Sequence, residues 1–183
     1  MFINPFDQKP KEHLIPRDVD IVLVADMFAE QYLGGAELTT KALLDATELK
    51  VYKINSKEIC MKTLESGYNK FWIFTNFSAM EPQLIPTIIS NLNYSVVEYD
   101  YKFCRYRSIE KHLSAEMKEC DCHDEMHGKL ISAFYHGAKT VFYMSDAQMK
   151  RYHDRFPFLA DTSEGSRQYV ISSVFSEEFF ATL

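Results

Sequence analysis

The sequence lacks any apolar run approaching the ~18 residues that a membrane span requires. It lacks a secretion signal as well. Residues 1–17 carry Pro5, Pro10 and Pro16 and no apolar signal core, so they read as an arm leading into the first strand. The compartment expected on that basis is the reducing cytoplasm, where disulfides are disfavoured. The dinucleotide fingerprint Gly-x-Gly-x-x-Gly is absent, and so is the phosphate loop Gly-x-x-x-x-Gly-Lys-Ser/Thr. No broad basic stripe offsets the net charge of −6. The short basic clusters Lys102 to Arg107 and Lys150 to Arg155 are interleaved with aromatics and read as solvated faces. Nucleic acid is therefore not an expected partner, because phosphate neutralisation needs concentrated cations. Internal repeats, low-complexity tracts and Cys-x-x-Cys knuckles are missing too.

What remains is an ordinary globular composition in 183 residues, with 46% hydrophobic and 25% charged side chains. That length suits one domain with a core able to stand without staples. Aromatics are abundant, with 14 Phe and 11 Tyr. Such rings can fill a core or line a surface that meets a sugar or another domain.

Hydrophobic patterning alternates strand and helix. Val19 to Ala25 is β-branched and apolar with little polar alternation, as suits a strand buried on both faces. Further strands are expected at Lys50 to Ile54, Phe71 to Phe74, Tyr94 to Tyr99, Thr140 to Met144 and Gln168 to Ser172. Helices are expected from Ala36 to Asp45, Ser56 to Glu65, Glu81 to Asn91, Glu125 to Tyr135 and Ser145 to Arg155, with a last one from Ser176 to Thr182. Ala36, Leu43 and Leu44 have the spacing of one helix face. Pro82 fits a first turn, and Pro86 predicts an irregularity. Ser145 with Gln148 predicts a capping box. The order implies an α/β, Rossmann-like doubly wound parallel sheet of about six strands with helices on both faces. A single domain over residues 18–183 carries an irregular Cys/His-containing insertion at about 100–123. Ligand-binding loops belong at the carboxyl ends of such strands.

Gly34-Gly35-Ala36-Glu37 opens the first helix after the first strand. Paired glycines let backbone N–H groups approach an anion, and a helix N-terminus adds partial positive charge. On spacing alone a tight turn needing positive φ is the readier explanation of a glycine pair. Glu37 in a first turn favours the helix dipole without any ligand. After the fourth strand comes Tyr99-Asp100-Tyr101-Lys102-Phe103-Cys104, with Arg105 and Arg107 just beyond. The C-terminal stretch holds Ala138 to Ser145 and then Tyr169-Val170-Ile171, followed by Phe175 and Phe179.

In this order the motifs resemble the N-terminal, acceptor-side domain of retaining glycosyltransferases of the GT-B fold (group 1, or family 4, type), over roughly Val19 to Phe180. The resemblance implies that Gly34 and Gly35 sit at a cleft between two Rossmann-like domains, facing acceptor and donor diphosphate, with Glu37 as the motif's acid. Tyr99 stands where some members carry a histidine beside the acceptor hydroxyl, and a tyrosine of ordinary pKa ~10 is a poor base. Asp100 is then the candidate for orienting the acceptor or taking its proton, although it also suits a cap on the loop after the strand. Arg105 and Arg107 could meet donor phosphate or an anionic acceptor, or simply serve as surface charge. Ser172-Ser173 replace the family's asparagine-glycine, so that turn is not kept. The implied reaction is sugar transfer from a nucleotide-sugar donor to an acceptor glycan or other hydroxyl, with no metal in the chemistry. The donor-binding second domain is not contained in these residues, so this chain alone is expected to be inactive. The rival expectation is a non-catalytic Rossmann-like binding domain.

Cys104, Cys120, Cys122 and His123 form a candidate metal set, with His112 and His127 nearby. Thiolates and imidazole at four tetrahedral points are what structural zinc needs, and zinc would pin an irregular loop. Free thiols packed under a loop are the alternative. Cys60 reads as core. His13, His136 and His153 are given no catalytic role.

Overall fold

A computed structural model describes residues 13–163 and 165–173. Strands β1 (Ile21–Ala25), β2 (Val51–Asn55), β3 (Phe71–Phe74), β4 (Asn93–Glu98), β5 (Thr140–Tyr143) and β6 (Arg167–Val170) form one sheet. Its order is β2-β1-β3-β4-β5-β6. Every pairing is parallel, with Ile21 opposite both Val51 and Phe71, and Phe71 opposite Asn93. Helices α1 (Gly35–Asp45), α2 (Met61–Ser66), α3 (Ile85–Asn91), α4 (Ile109–Glu116), α5 (Met126–Gly137) and α6 (Asp146–Arg155) fill the crossovers. The fold is the α/β, Rossmann-like doubly wound arrangement that the alternation predicts.

Side chains alternate across each strand, so the two faces of the sheet are read from odd and even positions. Val22, Val24, Trp72, Phe74, Tyr94, Val96, Val141 and Tyr143 face one way. They pack against Leu64 of α2, Ile88 of α3, Phe134 of α5 and Tyr152 of α6. Leu23, Ala25 and Ile73 face the other way and meet Leu44 of α1 in a smaller cluster. The aromatic surplus goes chiefly into the first face. Phe74 contacts Trp72, Phe77, Tyr94 and Phe134 with ring centroids 5.2–6.0 Å apart.

Several local expectations change. The helix expected at 56–65 is a 3-10 turn (Ser56–Glu58) followed by α2, because Cys60 is extended and caps α2 with Thr63. Pro82 opens a 3-10 turn that leads into α3, with Pro86 in α3's first turn. The buried residues of α1 are Thr39, Thr40 and Ala42, whereas Leu43 is exposed. Ser145 caps α6 as expected, accepting from the Gln148 N–H. The Gln148 side chain does not close the box; it accepts from the Met144 N–H and donates to the Asp100 carbonyl. The insertion contains an unforeseen helix, α4, capped by the Ser108 hydroxyl. Of the arm, Ile15 is buried and its N–H donates to the Ser66 hydroxyl. Residues 1–12 of the arm and the helix expected at 176–182 lie outside the described residues.

Candidate functional site

Strand order reverses between β1 and β3, since the chain leaves β1 in one direction for β2 and returns past it to β3. Sheets of this kind open a crevice at the carboxyl ends of the strands on either side of the reversal. Asp26 stands there, directly after β1. Its carboxylate accepts from the Ser56 hydroxyl after β2, and from the Ser78 hydroxyl, Ser78 N–H and Ala79 N–H after β3. Burial alone would raise its pKa. The two hydroxyls and two amides outweigh that and hold the carboxyl below its ordinary value.

Arg107 reaches the same point from the loop after β4. Its guanidinium lies 3.2 Å from Asp26 Oδ2 and 2.7 Å from Asp100 Oδ2. It also donates to the Ser78 hydroxyl and to Asn76 Oδ1. The planar fork of arginine suits this many-sided grip. Arg107 has φ 54°, a left-handed conformation uncommon for a non-glycine residue. The ends of β1, β2, β3 and β4 are thus tied together by one carboxylate and one guanidinium.

Beneath the loop lies a second charged group. Glu98, the last residue of β4, is fully buried. It accepts from Lys102 Nζ at 3.0 Å, from the Tyr152 hydroxyl at 2.7 Å and from the Asp100 N–H at 2.8 Å. Burial pushes its pKa up to about 7, against the pull of Lys102. Lys102 continues outward to Asp100 Oδ1 at 3.5 Å. Both oxygens of the Asp100 carboxylate are therefore engaged by cations. Tyr99 shares a 2.8 Å hydrogen bond with Thr40 of α1, and burial pushes its pKa up to about 12. It is no base at neutral pH.

A cavity of about 310 Å³ lies beside this network. Phe77, Met80 and Ile131 supply apolar wall, and Lys102, Arg107 and His127 supply polar wall. It opens between the β3 and β4 loops, one strand along the same carboxyl-end rim from the reversal between β1 and β3.

The glycine pair lies on the same rim, at the start of α1, but not in the cavity wall. No described glycine has positive φ, so a tight turn is not the reason for the pair. The space a side chain at Gly34 would need is taken by the Tyr32 ring and the Glu37 carboxylate, whereas Gly35 faces open space. Glu37 therefore lies over the uncapped N-terminus of its own helix. Arg105 also lines the cavity, but its guanidinium is engaged at the surface by Glu125 and lies 3.8 Å from Glu116.

The metal set needs one correction. Cys104, His112, Cys120 and Cys122 are all buried, and one ligand atom of each lies within 4.8 Å of the others. The histidine is His112, from α4, and not His123. The unforeseen helix carries His112 back onto the thiols, while the His123 ring lies edge-on to Phe156. His127 donates to the Lys102 carbonyl. This buried Cys3His group could hold a metal such as zinc.

Among the described residues no helix is long and apolar enough to cross a membrane. Comparison with family models and with curated proteins finds no match to this chain. The functional reading therefore rests on the site.

Sequence reasoning missed Asp26, Ser56, Asn76, Ser78 and Glu98, and set His112 beside the metal cluster rather than in it. Asp26 had a usable signal, an acid directly after the first buried strand. Its importance depends on strand order, which the sequence does not display.

Proposed function

We propose that this domain is the acceptor-side half of a GT-B-type retaining glycosyltransferase, using a nucleotide-sugar donor and a hydroxyl acceptor. One observation carries the reading. The motif residues that the resemblance assigns to the cleft, Gly34, Gly35, Glu37, Tyr99 and Asp100, come from the start of α1 and from the residues just after β4, and those two segments are joined on one rim by the Tyr99–Thr40 bond. In the complete enzyme the free N–H groups opening α1 face the donor diphosphate, with Gly35 leaving room for it. Glu37 covers that helix end and gives way when the diphosphate arrives. Asp100, held by Arg107 and Lys102, orients the acceptor hydroxyl. The nucleotide-gripping half lies outside these residues, so turnover belongs to the whole enzyme. The Cys3His group holds structural zinc, the ion that best fits three thiolates and one imidazole; it takes no part in transfer.

Titration of the isotope-labelled chain by NMR tests this. Sugar acceptors should shift amides of 76–80 and 99–107, and sugar nucleotides should bind only weakly, at the start of α1. Tight nucleotide-sugar binding by this chain alone would overturn the assignment to the acceptor side.

A second reading, a non-catalytic binding domain, draws support from the Glu37 carboxylate and Tyr32 ring over Gly34 and from the neutralisation of Arg107 by two carboxylates. It predicts no shifts at the start of α1 with any nucleotide.

A further inference from the structure

We infer that the metal held by Cys104, His112, Cys120 and Cys122 is a clip that sets Arg107 in the crevice, so that loading of the metal decides whether the strand-end site exists. This rests on the metal reading above and goes beyond it.

The argument begins with α4. Eight residues are too few for a helix to stand alone in water. A helix of this length is ordinarily held by an apolar stripe. Yet the one buried residue of α4 is His112, with Ile109 half-buried against the core. Leu113 and Met117 are exposed. Apart from the exposed pair of Glu110 with Arg151 of α6, what fastens α4 to the domain is chiefly an imidazole among thiols.

The donor geometry suits a four-coordinate ion. His112 Nδ1 lies 3.4 Å from Cys122 Sγ and 3.7 Å from Cys104 Sγ. Zinc bonded tetrahedrally to nitrogen and sulfur separates such atoms by about 3.6 Å, and two sulfurs by about 3.8 Å. With Nδ1 as ligand, Nε2 carries the proton. Nε2 is buried without a partner, and 3.8 Å away Asp121 Oδ1 is likewise buried without one. A small shift closes that pair, giving the carboxylate–histidine support usual behind metal-bound imidazole. Two further features bring the ligands in. Met117 ends α4 in a left-handed conformation, turning the chain toward Cys120. Gly128 of α5 packs so closely on the Cys122 backbone that any side chain there would collide with it.

The link to the crevice is short. Arg107 lies three residues after Cys104, and its N–H donates to the Cys104 carbonyl. The Cys104 N–H in turn donates to the Tyr101 carbonyl, and the Tyr101 N–H to the Arg107 carbonyl. This closed turn holds Arg107 at φ 54°. Cys104 is its fixed point, so fixing the Cys104 sulfur fixes the direction of the guanidinium.

The test uses the full chain, purified from zinc-supplemented cells without chelator. Elemental analysis should give about one zinc per chain. His112→Ala should lose it, His123→Ala should keep it, and His112→Cys, a four-thiolate site, should regain it. Asp121→Asn should weaken zinc binding by ~10-fold. In the wild type, zinc should shield Cys104, Cys120 and Cys122 from alkylation until chelator is added. Hydrogen exchange then reads the clip. Chelation should raise exchange in 100–125 and also, across space, in 76–80, where Ser78 and Ala79 donate to Asp26. Arg107→Ala should raise exchange in 76–80 with zinc still bound. Absence of zinc, or its loss with His123→Ala but not His112→Ala, would overturn both the metal reading and the clip. Zinc at full occupancy whose removal leaves 76–80 unchanged would overturn the clip alone.

Discussion

The sheet with its covering helices and the insertion between β4 and α5 are held by different forces. In the frame, Trp72, Phe74, Tyr94 and Phe134 are entirely buried and touch one another through ring faces and edges. In the insertion, the buried groups are three thiols, an imidazole, Lys102 and the Phe103 ring. Apolar packing is non-directional and tolerates sliding, whereas coordination and ion pairing fix atoms in place. A frame of the first kind can carry a site; a loop of the second kind can position one.

The comparison is broken most severely in the frame. Trp72→Ala should cost about 3–5 kcal/mol, because it removes a fully buried ring and leaves a cavity. It also removes the donor to the Gly67 carbonyl. Urea melts followed by far-UV circular dichroism would check this. A loss below 1 kcal/mol would mean that the aromatic face is not the principal core.

Arg107→Ala comes next. The side chain is 26% exposed and its partners Asp26 and Asp100 are 20% and 28% exposed. With that exposure discounted, a loss of about 1–2 kcal/mol is expected, below the cost of breaking a dry pair. The loss should leave the frame's near-UV signature intact, which separates this variant from Trp72→Ala.

How far the sequence discloses each region follows the same division. β3 is legible to the residue, Phe71–Phe74, because a continuous apolar run between polar turns admits one reading. The other strands shift by one or two residues at their ends. The insertion is obscure because no periodicity marks α4, whose sequence Ile-Glu-Lys-His-Leu-Ser-Ala-Glu has its two large aliphatic residues outside the core cluster or at its edge. Without α4, proximity in sequence favours His123, one residue from Cys122, and the fold instead selects His112. At the rim, Gly34, Gly35, Tyr99 and Asp100 were visible as motif residues. Asp26 was not, since its partners come from three other loops.

A third perturbation uses pH. The Glu98 pKa is held at about 7 by burial, above the ordinary glutamate value of 4.5. Between those values the folded state keeps a proton that the unfolded state has released. Stability therefore falls as pH rises from about 4.5 through about 7, and levels off above that. Asp26 has the opposite sign and acts lower, losing its contribution as pH falls below the usual carboxylate range. Glu98→Gln should flatten the fall between pH 5 and 7 in thermal melts, although the variant is less stable overall because Lys102 loses its buried carboxylate and keeps only Asp100. A slope unchanged from wild type would mean that Glu98 does not titrate in that window.

The smallest effect is expected two residues from one of the larger ones, and it sharpens the contrast inside the insertion itself. Arg105 and Arg107 flank Tyr106, yet they meet different surroundings. Arg107 is enclosed by Asp26, Asp100, Ser78 and Asn76. Arg105 is 46% exposed and pairs with Glu125, itself 49% exposed, with Glu116 farther off. Exposed pairs gain little in water and are screened by salt. Arg105→Ala should therefore leave the melting temperature within measurement error at physiological salt, and hydrogen exchange in 76–80 unchanged. If Arg105→Ala instead matched Arg107→Ala in both readouts, charge anywhere on the loop would suffice, and the directed grip on Asp26 and Asp100 would no longer be what holds the strand ends together.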